Sequence, residues 1–262
     1  MRVITVPLNS DNYGYLLVCD KSRTCAVVDV SSQPQTMLQE VRKLLGFEFT
    51  TIFTTHKHWD HAGGNEAMLA AYPDLTIYAG RQEGAEAANR LVDDGEELLF
   101  GAGIKVKCLL TPGHTMGHIC YYMEEGEGGG DAQTQRLVFT GDTLFAGGVG
   151  KFFEGTAADM HPSLCKLAQL PGDSLVYCGH EYTLSNYKFA LSVDPHNTQL
   201  QEAHRAAVLL RADDLPTIPS SIQKELDTNP FLRVHCAGIQ QSFPGLSPQD
   251  TLAAVREAKN SF

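Results

Sequence analysis

No apolar run in this chain of 262 residues approaches the ~18–20 that a membrane-spanning helix needs, so no membrane partner is expected. Cysteine is sparse and unpatterned: seven residues, at 19, 25, 108, 120, 165, 178 and 236, with no C-x-x-C pair. An odd, scattered set excludes a disulfide framework and fits free thiols in a reducing cytosol. Positive charge is short as well, 20 Lys and Arg against 31 Asp and Glu, a net charge of −11. A broad nucleic-acid surface normally needs the opposite balance, so no nucleic-acid partner is expected. The opening stretch MRVITVPLNSDNYGYLLV lacks the apolar core and small-residue cleavage site of a secretory signal. It also lacks the Arg- and Ser-rich character of a transit peptide, so the expected location is cytoplasmic.

The chain does have enough apolar residues, 43% against 19% charged, to bury one large α/β unit with a small appendage. Strands are expected at 3–7, 13–20, 24–30, 47–56, 75–80, 104–111, 118–123, 136–142 and 174–180, with Asn9 to Asn12 as the first turn. Met37, Leu38, Val41, Leu44 and Leu45 fall at helical spacing within 35–45, and 64–71 and 158–170 also read as helices. The polar, Gly-rich segment 124–135 reads as a solvated hairpin loop or a disordered insert. From Asn186 onward the pattern is mostly helical, broken at 213–221, and a capping signal at SPQD opens a last helix carrying Arg256 and Lys259. The expected organisation is a β-rich catalytic unit over 1–176 and a smaller helical unit over 177–262.

Ten histidines carry the functional signal, because several sit in short clusters that each follow an apolar run. His56, His58, Asp60 and His61 stand within six residues, followed by His114 in PGHTMGH, Asp142 in FTGDTLF and His180 in YCGHEY. The ends of strands are where open α/β sheets gather their sites. Neutral imidazole with carboxylate suits Zn²⁺, and also Fe or Mn. His56 and His58, two apart in extended chain, project to the same side, whereas Asp60 and His61 turn into the following helix and face a second point. Seven ligands exceed one tetrahedral site and suit two metals sharing a carboxylate, for which Asp142 offers two oxygens.

These segments, THKHWDHAGGNE, TPGHTMGHICYY, FTGDTLFAGGVGKFFEGTA, YCGHEYTLSNYKFA and NPFLRV, resemble in this order those of glyoxalase II, the hydroxyacylglutathione hydrolases. That family is a branch of the metallo-β-lactamase superfamily, whose H-x-H-x-D-H motif stands here as His56 to His61. The resemblance implies an α/β (α+β) fold, a metallo-β-lactamase-type αββα sandwich with a helical C-terminal domain. It assigns His56, His58 and His114 to one divalent metal and Asp60, His61 and His180 to another, with Asp142 bridging and Asp29 orienting a ligand histidine. It also places glutathione contacts at Lys151, Phe153, Tyr182, Arg256 and Lys259; Phe153 stands where some members have a tyrosine.

The implied activity is hydrolysis of S-2-hydroxyacylglutathione, S-D-lactoylglutathione above all, to glutathione and a 2-hydroxy acid such as D-lactate. Two zinc ions (or iron or manganese) would share a hydroxide as nucleophile, with Asp60 and Asp142 as catalytic carboxylates. A thiol of pKa ~8.5 leaves without a strong general acid, which suits thioesters, although the same chemistry serves esters and lactams. The expected partner is this small thioester, and the chain is expected to act as a monomer. A persulfide dioxygenase with one iron on His56, His114 and Asp142 is the runner-up, opposed by the presence of Asp60, His61 and His180. A nuclease on the same fold is opposed by the net charge, and a non-catalytic glutathione-binding module by the complete ligand set.

Overall fold

Burial of both faces of the central strands dictates a four-layered architecture. In the computed structural model, which describes residues 1–126 and 134–262, the first sheet is formed by β1 (Arg2–Leu8), β2 (Asn12–Cys19), β3 (Thr24–Val28), β4 (Glu48–Phe53), β5 (Thr76–Gly80) and β6 (Arg90–Val92), in that order. Its helices are α1 (Gln35–Lys43), α2 (Trp59–Ala62) and α3 (Asn65–Ala71). The second sheet holds β7 (Glu97–Phe100), β8 (Ile104–Leu110), β9 (Ile119–Glu125) and β10 (Gln135–Gly141). A short hairpin, β11 (Leu144–Phe145) and β12 (Gly148–Val149), and helix α4 (Ala157–Ala168) precede β13 (Leu175–Cys178), which runs parallel to β10. The rest is α5 (Thr183–Val193), α6 (Thr198–Ala212), β14 (Ser220–Ser221), α7 (Ile222–Thr228), α8 (Ala237–Ser242) and α9 (Pro248–Asn260).

Every residue of β2 is buried, because both faces of its sheet are covered. Tyr15 and Leu17 meet Tyr121, Met123 and Phe139 of the second sheet, filling the space between the sheets. Leu16 and Val18 point the other way, onto Met37 and Val41 of α1 and Met68 of α3. On the far side Cys120, Tyr122 and Val138 pack beneath Met160 and Leu164 of α4 and Leu252 and Val255 of α9. Each such side chain taken fully from water contributes ~1.5–3 kcal/mol. The layers therefore run helix, sheet, sheet, helix, as expected. The SPQD signal also appears as a cap, with the Ser247 hydroxyl accepting from Asp250 N and Pro248 in the first helical turn.

Some expected boundaries shift. Helix α1 ends at Lys43, and Leu45, counted on its apolar face, is 85% exposed. The strand expected over 47–56 stops at Phe53, which frees His56 from the ladder. Residues 81–103, unassigned from sequence, contain β6 and β7, and the break at 213–221 holds β14, which adds an antiparallel strand to β13. β9 and β10 pair as far as Glu125 and Gln135, and the loop reading of 124–135 falls largely on 127–133, outside the described residues. Among the described residues no helix is long and apolar enough to cross a membrane.

Candidate active site

Four strands end at one rim of the sandwich. After β4 the chain delivers His56, His58, Asp60 and His61, after β8 His114, after β10 Asp142 and after β13 His180. All seven come together. His58 Nδ1 lies 3.1 Å from His56 Nε2 and 3.0 Å from His114 Nε2. His61 Nε2 lies 3.2 Å from His180 Nε2, and Asp60 Oδ2 is 3.6 and 3.4 Å from those two nitrogens. Asp142 sits between the groups, Oδ1 3.3 Å from His61 Nε2, Oδ2 3.5 Å from His114 Nε2 and 3.4 Å from His180 Nε2. Gly179 allows this convergence, since a Cβ there would lie 2.4 Å from Asp142 Oδ1.

The outer nitrogens decide what the inner ones can do. His61 Nδ1 faces Asp29 Oδ2 at 2.8 Å, His180 Nδ1 faces Asp11 Oδ1 at 2.8 Å and His114 Nδ1 faces the Lys151 carbonyl at 2.9 Å. Each partner only accepts, so each Nδ1 carries a proton. Thr55 Oγ1 donates to Asp29 and therefore accepts from His56 Nδ1 at 3.1 Å. Rings so fixed turn their four Nε2 atoms inward, an arrangement that a cation or a shared proton relieves. Asp142 Oδ1 is sealed from solvent and has no hydrogen-bond partner among the described residues. An orphaned carboxylate oxygen beside converging imidazole nitrogens fits divalent metal ions, and among the described residues three subsets qualify by proximity: His56–His58–His114, His56–His61–Asp142 and Asp60–His61–His180.

The two ends differ electrically. Burial, with His61 nearby, holds His56 well below the usual imidazole range, and burial also lowers His58 and His114. Burial opposes charge on His61 too, but Asp142, Asp29 and Asp60 outweigh it and bring the ring up to about 9. A proton thus competes with a metal ion at the His61 end, while the three-histidine end is bare.

Beside this cluster lies a cavity of about 360 Å³ with His114 and Asp142 in its wall. Lys151, Phe153, Tyr182, Arg256 and Lys259, the five residues singled out from sequence, all line it. Phe153 turns its ring edge-on to His114 at 5.2 Å, and Tyr182 stacks on His180 at 4.7 Å. Arg256 does not project freely into solvent. It is buried, with Nη1 donating to the Val149 carbonyl and Nε to Asn260 Oδ1, both at 3.0 Å. Lys259 Nζ donates to the Ser185 carbonyl and hydroxyl at 3.1 Å, and burial, reinforced by Arg256, lowers it to about 8.

Sequence reasoning missed Asp11 and Asn12, read only as a turn. Asn12 Nδ2 donates to Asp60 Oδ2 at 2.9 Å, and the turn docks through Tyr13 N to the Gly179 carbonyl. No local spacing signals this, because 168 residues separate Asn12 from His180. The Lys151 carbonyl is equally silent, since it acts through backbone. His118 supports rather than joins the cluster, its Nε2 accepting from Asp142 N at 3.2 Å. His161, His196, His204 and His235 belong to none of the three groups.

Residues 12–180 match the family model described as the metallo-beta-lactamase superfamily, and 181–262 the model described as the hydroxyacylglutathione hydrolase C-terminus. The hydroxyacylglutathione hydrolase cytoplasmic of Arabidopsis thaliana is 44% identical over 100% of this chain and 99% of its own. The hydroxyacylglutathione hydrolase of Brucella anthropi is 44% identical over 97% of this chain and 94% of its own. Among solved structures, ETHE1 from Myxococcus xanthus superposes with a TM-score of 0.68 at 26% identity, covering 98% of this chain and 90% of that one.

Proposed function

This chain belongs to the hydroxyacylglutathione hydrolase family of the metallo-β-lactamase superfamily, and on that premise we propose that it cleaves S-2-hydroxyacylglutathione to glutathione and a 2-hydroxy acid. S-D-lactoylglutathione, giving D-lactate in the second step of methylglyoxal detoxification, is the foremost substrate. The observation that carries the reading is adjacency: a cavity bearing Lys151, Arg256 and Lys259 opens directly onto the His–Asp cluster.

His56, His58 and His114 would hold one divalent ion and Asp60, His61 and His180 a second, with Asp142 between them. Zinc suits this donor set, with iron or manganese as alternatives. Such a pair supplies Lewis-acid polarisation of a carbonyl and a water acidified towards neutral pH. Glutathione brings two carboxylates, and in a chain of net charge −11 the three cations supply the local field that binds them. Asp60, steadied by the Asn12 amide, orients the attacking water through a carboxylate oxygen. Phe153 and Tyr182 flank His114 and His180 and keep bulk solvent from the reacting end. The thiol departs as thiolate, so no further acid is required.

In this reading residues 1–176 form the catalytic unit and 177–262 the substrate-binding unit, although the latter also supplies His180. The chain acts as a cytoplasmic monomer whose partner is the small thioester.

The test is hydrolysis of S-D-lactoylglutathione with metal analysis on the same sample. Turnover with close to two ions per chain is the expected result. One iron per chain, or a filled site without turnover, would overturn it.

A further inference from the structure

We propose that Glu83 is a positioning residue that sets the spacing of His56 and His58 against His114, and with it the affinity of that trio for its ion. The inference rests on reading those histidines as ligands. It comes from a contact that the reaction itself does not use.

Glu83 lies just beyond β5 and is 2% exposed. Its Oε1 accepts the backbone N–H of Lys57 at 2.8 Å, and Lys57 is flanked by His56 and His58. Its Oε2 accepts the hydroxyl of Thr115 at 2.9 Å, and Thr115 follows His114. One buried carboxylate therefore clasps two loops that leave different sheets, each at the residue beside a histidine of the trio. The main chain leaves no slack either: a Cβ on Gly117 would lie 2.4 Å from Glu83 N. An outer carboxylate repeats the clasp, since Glu154 lies 2.6 Å from Lys57 Nζ and accepts Met116 N–H at 2.9 Å.

A buried carboxylate is costly to keep unless its hydrogen bonds are all made, and both of these go to backbone or hydroxyl groups next to the cluster. Two loops from separate sheets have no covalent reason to hold a ~3 Å spacing between ring nitrogens. Outer groups that orient metal ligands typically alter metal affinity ten- to a hundredfold when removed.

The experiment loads the wild type and variants with Co²⁺ and follows the loss of each ion to a competing chelator by visible absorption, with thermal unfolding alongside. Wild type should release two ions per chain. Glu83→Ala should release one of them at tenfold or more lower chelator concentration, with the other held as in the wild type. Glu83→Gln keeps an acceptor for Lys57 N–H and a group that Thr115 can pair with, so it should restore affinity to within about threefold of wild type. Thr115→Val, which retains volume and removes the hydroxyl, should weaken the same ion and stands in if Glu83→Ala does not fold. Unchanged chelator competition in both Glu83→Ala and Thr115→Val overturns the proposal, as does equal weakening of both ions with a lowered melting temperature. A wild type that takes up no cobalt overturns the ligand reading itself.

Discussion

Asp29 and His61 face each other at 2.8 Å, carboxylate oxygen to Nδ1, both closed to solvent. Asp29 reaches this position in the left-handed region, φ 59°, at the turn that ends β3, and its other oxygen takes the backbone N–H of Thr55. An aspartate tolerates that conformation better than most residues. Replacing it with alanine removes the acceptor that fixes the His61 tautomer. Asp29→Ala should lower metal affinity ten- to a hundredfold, read by competition with a chromogenic chelator. Affinity equal to wild type would remove Asp29 from the site.

Lys259 and Arg256 share one helix face but should not behave alike. Lys259→Ala should raise KM for the glutathione thioester severalfold with kcat nearly kept, the mark of binding shared by ground and transition states. Arg256→Ala also breaks the bond to the Val149 carbonyl, on the hairpin that leads to Lys151, so kcat and melting temperature should fall as well. Steady-state kinetics and thermal unfolding of both variants separate the two roles. A fall in kcat alone for Lys259→Ala would contradict its placement.

Lys259 should also confer a pH dependence. With its value lowered to about 8, the ammonium is present below that pH and lost above it. Attraction for the substrate carboxylates then declines as pH rises, so kcat/KM should fall through about pH 8. The kcat profile should lack this limb, because a bound carboxylate keeps the proton in place. Lys259→Arg, which stays charged throughout, should remove the limb. A profile identical in wild type and Lys259→Arg would refute the assignment.

Phe153 gives a gain-of-contact test. Its ring is 64% exposed at the cavity mouth and carries no hydrogen-bonding group. Phe153→Tyr offers a hydroxyl to the glutathione backbone, and one such bond is worth ~0.5–1.5 kcal/mol. KM should drop by roughly two- to tenfold with kcat unchanged. No change in KM would mean that the ring edge does not meet the tripeptide.

The cluster itself was legible because its residues repeat at short spacing after strands: His56, His58, Asp60 and His61 stand within six positions. The layered core was legible for a related reason, since β2 and β10 carry the apolar stretches Tyr15–Cys19 and Leu137–Phe139, buried on both faces. β6, of three residues, and β14, a pair of serines, carry no such pattern. They are strands only because a neighbouring edge offers them hydrogen bonds. Asp11, Asn12 and Glu83 escaped for the same reason: their partners are brought near by folding, not by order in the chain.

Each of the three candidate ion-binding trios takes two members from the segment between β4 and the end of α2 and one from the rim of the other sheet. Neither half of the sandwich owns a complete set. An ion held there would act as a rivet across the seam, able to seat only once both plates are aligned. Its binding energy would oppose their parting rather than stiffen either one. A newly made chain would consequently gain hydrolytic competence only after the seam has closed.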